Sequence, residues 1–195
     1  MTSTSALNHI HKTGLFGNHE NKNEENLLKL SEIKNLLIVQ IVQYKNSSTT
    51  LDNLEIDSLK LKNEPLTVVS NSNTRILWNG PKNWLLTSTK KDLLKNILET
   101  FKQTDFAVTD LSHSRSIIEI EANMVYEVLK KGSPLDINKL KSGDSANTVY
   151  NGITITLDII SNNPYILRIF SLRSFGESLY NSITDSSLEF GYKSI

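Results

Sequence analysis

The order of apolar runs and turn signals in this 195-residue chain predicts an α+β fold with a largely antiparallel sheet, hairpins and packed helices. Turn signals at Asn79-Gly80-Pro81, Asn151-Gly152 and Asn162-Asn163-Pro164 join short β-rich runs. Each group of such runs is followed by a segment with apolar residues at helical spacing. Strands joined directly by tight turns run antiparallel, whereas a doubly wound parallel sheet needs a crossover between successive strands.

Residues 1–26 are polar, and the stretch His19 to Asn26 (HENKNEEN) carries too few apolar groups to offset its own ordering entropy. They are expected to form a flexible N-terminal arm, ordered by a partner. Residues 27–195 are expected to form one α+β domain or a pair of subdomains. Leu27, Leu28, Leu30 and Ile33 predict a short helix over Glu24 to Ile33. Asn35 to Tyr44 is rich in β-branched residues and predicts a strand, and Leu51 to Leu61 reads as a weak strand or a pair of loops.

From Asn73 the punctuation is clear. Thr74 to Trp78 and Trp84 to Ser88 are strands about a Gly-Pro turn. Thr87 or Thr89 is placed to cap a helix over Lys90 to Lys102, with Leu93, Leu94, Ile97, Leu98 and Phe101 on one face. Phe106 to Leu111 and Ser116 to Glu121 are strands around a polar corner. Asn123 is placed to cap a second helix, with Gly132 at its C-cap and Pro134 beyond. Asn147 to Tyr150, Gly152 to Ile160 and Tyr165 to Phe170 are three further strands, and Ser171 is placed to cap a helix bearing Phe175, Leu179 and Ile183.

Composition narrows the chemistry. With no cysteine, thiolate metal sites, disulfides and cysteine nucleophiles are excluded. Equal numbers of basic and acidic residues, 21 each, remove the global field a general nucleic-acid binder needs. The most apolar run, Leu36 to Tyr44, is broken by Gln40 and Gln43 and is far shorter than the ~20 residues of a spanning helix. The N-terminus has no apolar core of signal-peptide length, so a cytoplasmic location and no membrane partner are expected. No glycine-rich phosphate loop occurs.

The polar groups able to carry chemistry each have a structural role as well. Asp110, Ser112 and His113 are neighbours in sequence, whereas hydrolase triads assemble from separate elements, so a hydrogen-bonded corner is the preferred reading. His9, His11 and His19 lack the supporting carboxylates of a metal site and read as solvated. Trp78 and Trp84 read as packing under their hairpin. Asp136 reads as a cap rather than a general base. Only four of the 21 basic residues are Arg (Arg75, Arg115, Arg168 and Arg173). Where Arg persists against this preference for Lys, its planar guanidinium suits carboxylate contacts.

Four motifs then occur in order: ILWNGPKNWLL from Ile76, VTDLSHSR from Val108, LKKGSPLD from Leu129 and FSLRSF from Phe170. With a fainter echo at Ser5-Ala6-Leu7 and Gly17, this series resembles the gamma subunit of heterotetrameric sarcosine oxidase. It departs from the family pattern at Asn83, where an acidic residue is usual, and at Ser133, where Cys is common; residues 45–72 match no part of it.

The resemblance implies a fold like the folate-binding domains of aminomethyltransferases. It also implies a complex whose alpha and beta subunits carry the NAD, FAD, FMN and tetrahydrofolate sites, while the delta subunit binds zinc. Such a complex oxidises sarcosine to glycine, a formaldehyde equivalent and hydrogen peroxide. This chain is then expected to be a subunit with no catalytic, cofactor-binding or metal-binding residue of its own. Arg115, His113, Arg168, Arg173, Trp78 and Trp84 are its candidate contacts to the alpha, beta and delta subunits. The alternatives are a subunit of a related N-methyl amino acid dehydrogenase, such as one for N-methylglutamate, and a stand-alone folate binder using Trp78, Trp84 and Asp110 or Asp136.

Overall fold

The computed structural model describes residues 4–195. The chain divides into two units: one comprises the chain up to Lys34 with Ser114–Ser142 and Asn147–Ile195, the other Asn35–His113 with Gly143–Ala146. The strands are β1 (Gly14–Phe16), β2 (Leu28–Glu32), β3 (Leu37–Gln43), β4 (Glu55–Ile56), β5 (Leu59–Lys60), β6 (Val68–Ser70), β7 (Thr74–Gly80), β8 (Asn83–Ser88), β9 (Phe106–Asp110), β10 (Arg115–Glu121), β11 (Ser145–Tyr150), β12 (Ile153–Asn162), β13 (Tyr165–Leu172) and β14 (Tyr192–Ser194). Three helices accompany them: α1 (Leu93–Thr100), α2 (Val125–Lys130) and α3 (Gly176–Ser187). The expected α+β class with mainly antiparallel pairing is what the chain adopts.

In the unit centred on residues 35–113, five strands pair in the order β6-β7-β8-β3-β9, and every pairing is antiparallel. β3 lies between β8 and β9, and its Leu37, Val39 and Ile41 are buried together with Trp84 and Leu86 of β8. Leu93, Ile97 and Phe101 carry the helical stripe of α1 into the same core, where Phe101 meets Phe106 edge to face at 5.0 Å. Leu98, expected on that stripe, is largely exposed instead. The helix starts at Leu93 without a side-chain cap; Ser88 Oγ accepts the Lys90 N–H at 3.1 Å, so neither Thr87 nor Thr89 has the predicted role.

The other unit holds a seven-stranded sheet in the order β1-β14-β2-β10-β13-β12-β11, in which β14–β2 is a parallel pair. Asn151 and Gly152 both take positive φ (46° and 81°), the geometry a two-residue type I′ hairpin requires between β11 and β12. α3 packs on β10 and β13 and against α2. Its Leu179 and Ile183, with Val125, Val128 and Leu129 of α2, are fully buried. The Tyr150 hydroxyl bridges the Val128 carbonyl (3.1 Å) and Ser186 Oγ (2.7 Å), tying the β11 edge to both helices.

Glu24 to Ile33 is not a helix: a 3-10 turn at Glu24–Asn26 leads into β2. Pairing of Lys29–Glu32 with β10 and of Leu28–Leu30 with β14 satisfies its backbone, which a short isolated helix would not achieve. Met124, not Asn123, precedes α2, and it makes no side-chain cap. Gly132 is not a left-handed C-cap. A Cβ there would lie 2.8 Å from the Tyr150 ring, so the glycine serves close packing. Ser171 lies inside β13, and a 3-10 turn at Arg173–Phe175 separates it from α3.

The N-terminal segment, expected as an arm awaiting a partner, is docked on its own chain from residue 4 onward. Leu7 is fully buried, β1 pairs with β14 (Gly14 opposite Ser194), and Phe16 stacks on Tyr192 at 5.2 Å. Two glycines permit the contact: a Cβ on Gly17 would fall 2.3 Å from the Leu188 carbonyl oxygen, and one on Gly191 2.5 Å from that of Asn18. Mean polarity concealed these anchors, because one buried leucine and a mutual backbone approach barely alter composition.

Candidate functional site

The Asp110–His113 corner has no catalytic geometry. Ser112 Oγ donates to Asp110 Oδ1 at 2.6 Å and accepts the Ile38 N–H at 3.0 Å. Ser112 N–H reaches the same Asp110 oxygen at 2.9 Å. This closes an Asx-type corner that ties β9 to the start of β3. His113 is exposed and bonds to neither residue, so no base is set against the serine.

The two tryptophans face each other across the β7–β8 hairpin, with Trp78 opposite Trp84. Trp84 is 1% exposed, and its indole N–H donates to the Lys62 carbonyl at 2.7 Å. Trp78 is half-buried, and its N–H reaches Asn63 Oδ1 at 3.3 Å. Asn63 Oδ1 also accepts the Lys82 N–H at 2.9 Å. Both indoles are therefore held by residues 62–63, within the stretch that sequence motifs left unassigned. Trp84 thus anchors structure, and neither its face nor its N–H is presented to a ligand. Asp110 accepts from Ser112, and Asp136 pairs with Lys139 at 3.2 Å on the surface.

That same stretch carries the most perturbed carboxyl. Asp57 and Ser58 form the β4–β5 turn with positive φ at both (52° and 64°), again the type I′ pattern. Lys90 Nζ (2.6 Å), Thr74 Oγ1 (2.7 Å) and Asn71 Nδ2 (3.1 Å) donate to the Asp57 carboxylate. These donors, Lys90 first, hold its pKa down at about 2.

The arginines fall into different roles. Arg168 Nε donates to Glu119 Oε2 at 2.7 Å across the β10–β13 pair, an internal ion pair. Arg173 donates through Nη2 to the Thr4 carbonyl, and its backbone N–H donates to the Ser114 carbonyl at 2.9 Å. Arg115, half-buried at the start of β10, makes a 3.4 Å contact from Nη1 to that same Ser114 carbonyl. Among the described residues no carboxylate pairs with Arg115 or Arg173. Burial pushes the Arg115 pKa down from its ordinary value. Ala6, Ser114, Leu172, Arg173, Ser174 and Glu177 line an open groove of about 530 Å³ at this corner.

His11 sits between the Tyr180 hydroxyl (3.1 Å) and the Ile195 carbonyl (3.0 Å), a packing role. Among the described residues no group of three or more His, Asp or Glu is arranged to hold a metal ion. None of the helices among them is long and apolar enough to cross a membrane.

No family model matches the chain. The fold nonetheless defines a class: glycine cleavage system aminomethyltransferase T from Bartonella henselae superposes with a TM-score of 0.66 at 12% identity, covering 100% of this chain and 60% of that one. The chain has an aminomethyltransferase-like α+β fold. Within that class the match is more particular. The heterotetrameric sarcosine oxidase from Corynebacterium sp. U-96, solved in complex with pyrrole 2-carboxylate, superposes with a TM-score of 0.81 at 21% identity, covering 97% of both chains. Sarcosine oxidase subunit gamma from Corynebacterium sp. (strain U-96) is 30% identical over 128 residues, a match spanning 61% of this chain and 58% of that protein. The resemblance carried by the four motifs is thus matched by a relative of that name.

Proposed function

We propose that this chain is a non-catalytic, cofactor-free gamma-type subunit that supports assembly of a flavin-dependent heterotetrameric sarcosine oxidase in the cytoplasm. The single observation that carries the reading is the 30% identity to sarcosine oxidase subunit gamma, on a fold shared end to end with a chain of such an oxidase. The chemistry of the side chains agrees with it. The Ser-His-Asp neighbours form a turn, the tryptophans anchor a hairpin, and the strongly perturbed carboxyl, Asp57, closes a loop. In this reading the alpha and beta subunits carry FAD, FMN, NAD and tetrahydrofolate, the delta subunit carries zinc, and sarcosine is oxidised away from this chain.

Co-expression with candidate alpha, beta and delta subunits tests the proposal. A single species containing all four chains on size-exclusion chromatography is expected, and persistence of this chain as a separate monomer would refute it. Titrating the isolated chain with tetrahydrofolate should leave tryptophan fluorescence unquenched; saturable quenching lost in Trp84→Phe would favour a folate binder instead.

A further inference from the structure

The β13–α3 corner has three properties that its own unit leaves unused; Leu172 lines its groove, and Arg115 and Phe175 adjoin the lining residues Ser114 and Ser174 in sequence. Leu172 and Phe175, at 45% and 47% exposure, are two of the more exposed large apolar side chains, and they stand three residues apart. Arg115 lies directly opposite Leu172 in the β10–β13 register, and directly opposed residues project from the same face of a sheet. The aliphatic stem of Arg115 is therefore beside Leu172. The Ser114 carbonyl, which belongs to the groove wall, is the point the Arg115 guanidinium touches. The Arg115 guanidinium and the Arg173 backbone N–H thus meet at the Ser114 carbonyl, both guanidinium groups have backbone carbonyls as their acceptors among the described residues, and Glu177 is the one acid in the lining. A half-buried guanidinium has lost part of its hydration, so a carboxylate brought to it recovers a charge-assisted, bidentate hydrogen bond. An exposed aromatic and aliphatic pair beside an arginine is the composition of an interface anchor rather than of an inert surface.

We propose that this groove docks a segment of a partner subunit presenting an Asp or Glu carboxylate to Arg115 beside an apolar side chain seated on Leu172 and Phe175. The inference rests on the subunit reading above and gives that reading a surface. Charge complementarity selects the occupant: a second copy of this chain would bring the same arginines to the same rim, and a basic segment would be repelled.

The test uses the complex formed with the partner subunits, with affinities measured for wild type, Arg115→Met, Arg115→Lys and Phe175→Ala. Arg115→Met should weaken binding by about 30-fold or more, the loss of a hot-spot arginine. Arg115→Lys should fall between that variant and wild type, because charge survives without the bidentate fork. Phe175→Ala should cost about 10-fold. Leu98→Ala, which removes a comparably exposed apolar side chain on α1, should bind within twofold of wild type. Raising salt should weaken wild type more steeply than Arg115→Met. Thermal unfolding of each isolated variant separates folding from docking; if Arg115→Met is destabilised, Phe175→Ala decides. Wild-type assembly with Arg115→Met and Phe175→Ala both within twofold of wild type would overturn the docking proposal alone. Failure of wild type to bind any partner would overturn the subunit reading and the groove with it. Self-association of the chain, lost in Phe175→Ala, would assign the face to a homodimer and overturn the proposal as well.

Discussion

Replacing Gly17 by alanine tests the docking of the N-terminal segment. Two costs are separable. Gly17 has φ +68°, and an L-residue held in that left-handed region costs roughly 1–2 kcal/mol. In addition, the new methyl would lie 2.3 Å from the Leu188 carbonyl oxygen and 2.7 Å from its Cα, both backbone atoms that cannot rotate aside. Relief requires the β1 segment to lift, which breaks the three-residue β1–β14 ladder and the Phe16–Tyr192 stack, the latter worth roughly 0.5–1.5 kcal/mol. Gly17→Ala should therefore lose about 3 kcal/mol. Gly152→Ala is the control, since its φ is +81° and no atom lies within 4 Å of its added Cβ. That control should lose only the backbone cost of roughly 1–2 kcal/mol. At about 2–4 °C per kcal/mol for a chain of this size, thermal unfolding resolves the two. Hydrogen exchange should also show Gly17→Ala opening residues 14–16 and 192–194 while β3 stays protected. Equal losses for the two variants, with unchanged protection at β1 and β14, would refute the close approach as the basis of docking.

The remaining predictions concern other anchors. Trp84→Phe removes the N–H that donates to the Lys62 carbonyl and should destabilise the chain by about 0.5–1.5 kcal/mol, read by denaturant titration. Leu7→Ala, at a fully buried site, should cost about 2–5 kcal/mol in the same assay. Arg168→Met should lose about 1.5–3 kcal/mol by stranding Glu119, and a second change, Glu119→Leu, should recover part of it. Asp57 titrates at about 2 in the fold against 3.8 ordinarily, so its contribution is fully present above about pH 4 and is lost as pH falls through 2. Asp57→Asn should flatten that acid limb of the stability profile, measured by thermal unfolding between pH 2 and 5.

The sequence made the central strands legible and left the connections obscure. β3, β7, β8, β10, β12 and β13 combine β-branched or alternating residues with Gly, Asn or Pro turns, and each lies close to its expected place. The short run with Leu27, Leu28, Leu30 and Ile33 fits either period and so predicts a helix where β2 forms, because its strand character comes from distant pairing with β10 and β14. Helix caps failed at Thr87, Thr89, Asn123 and Ser171 for a shared reason: turns or strand residues, fixed by tertiary contacts, occupy the positions a local rule assigns to caps. Of the candidate contacts, Arg168 is spent internally and Trp84 is enclosed, whereas Arg115 and Arg173 share the Ser114 carbonyl. An Asp-Ser pair between Ile56 and Leu59 is a weak turn signal, and Lys62 acts through its backbone carbonyl, which no residue type announces.

Capture of the tagged chain from its native cells, with the absorbance spectrum and subunit content of the material recovered, tests the central claim most directly. The account predicts a yellow complex that oxidises sarcosine and contains three further subunits, with this chain colourless and inactive once separated from them. Recovery of the chain alone, or of a chromophore that stays with the isolated chain, would contradict it.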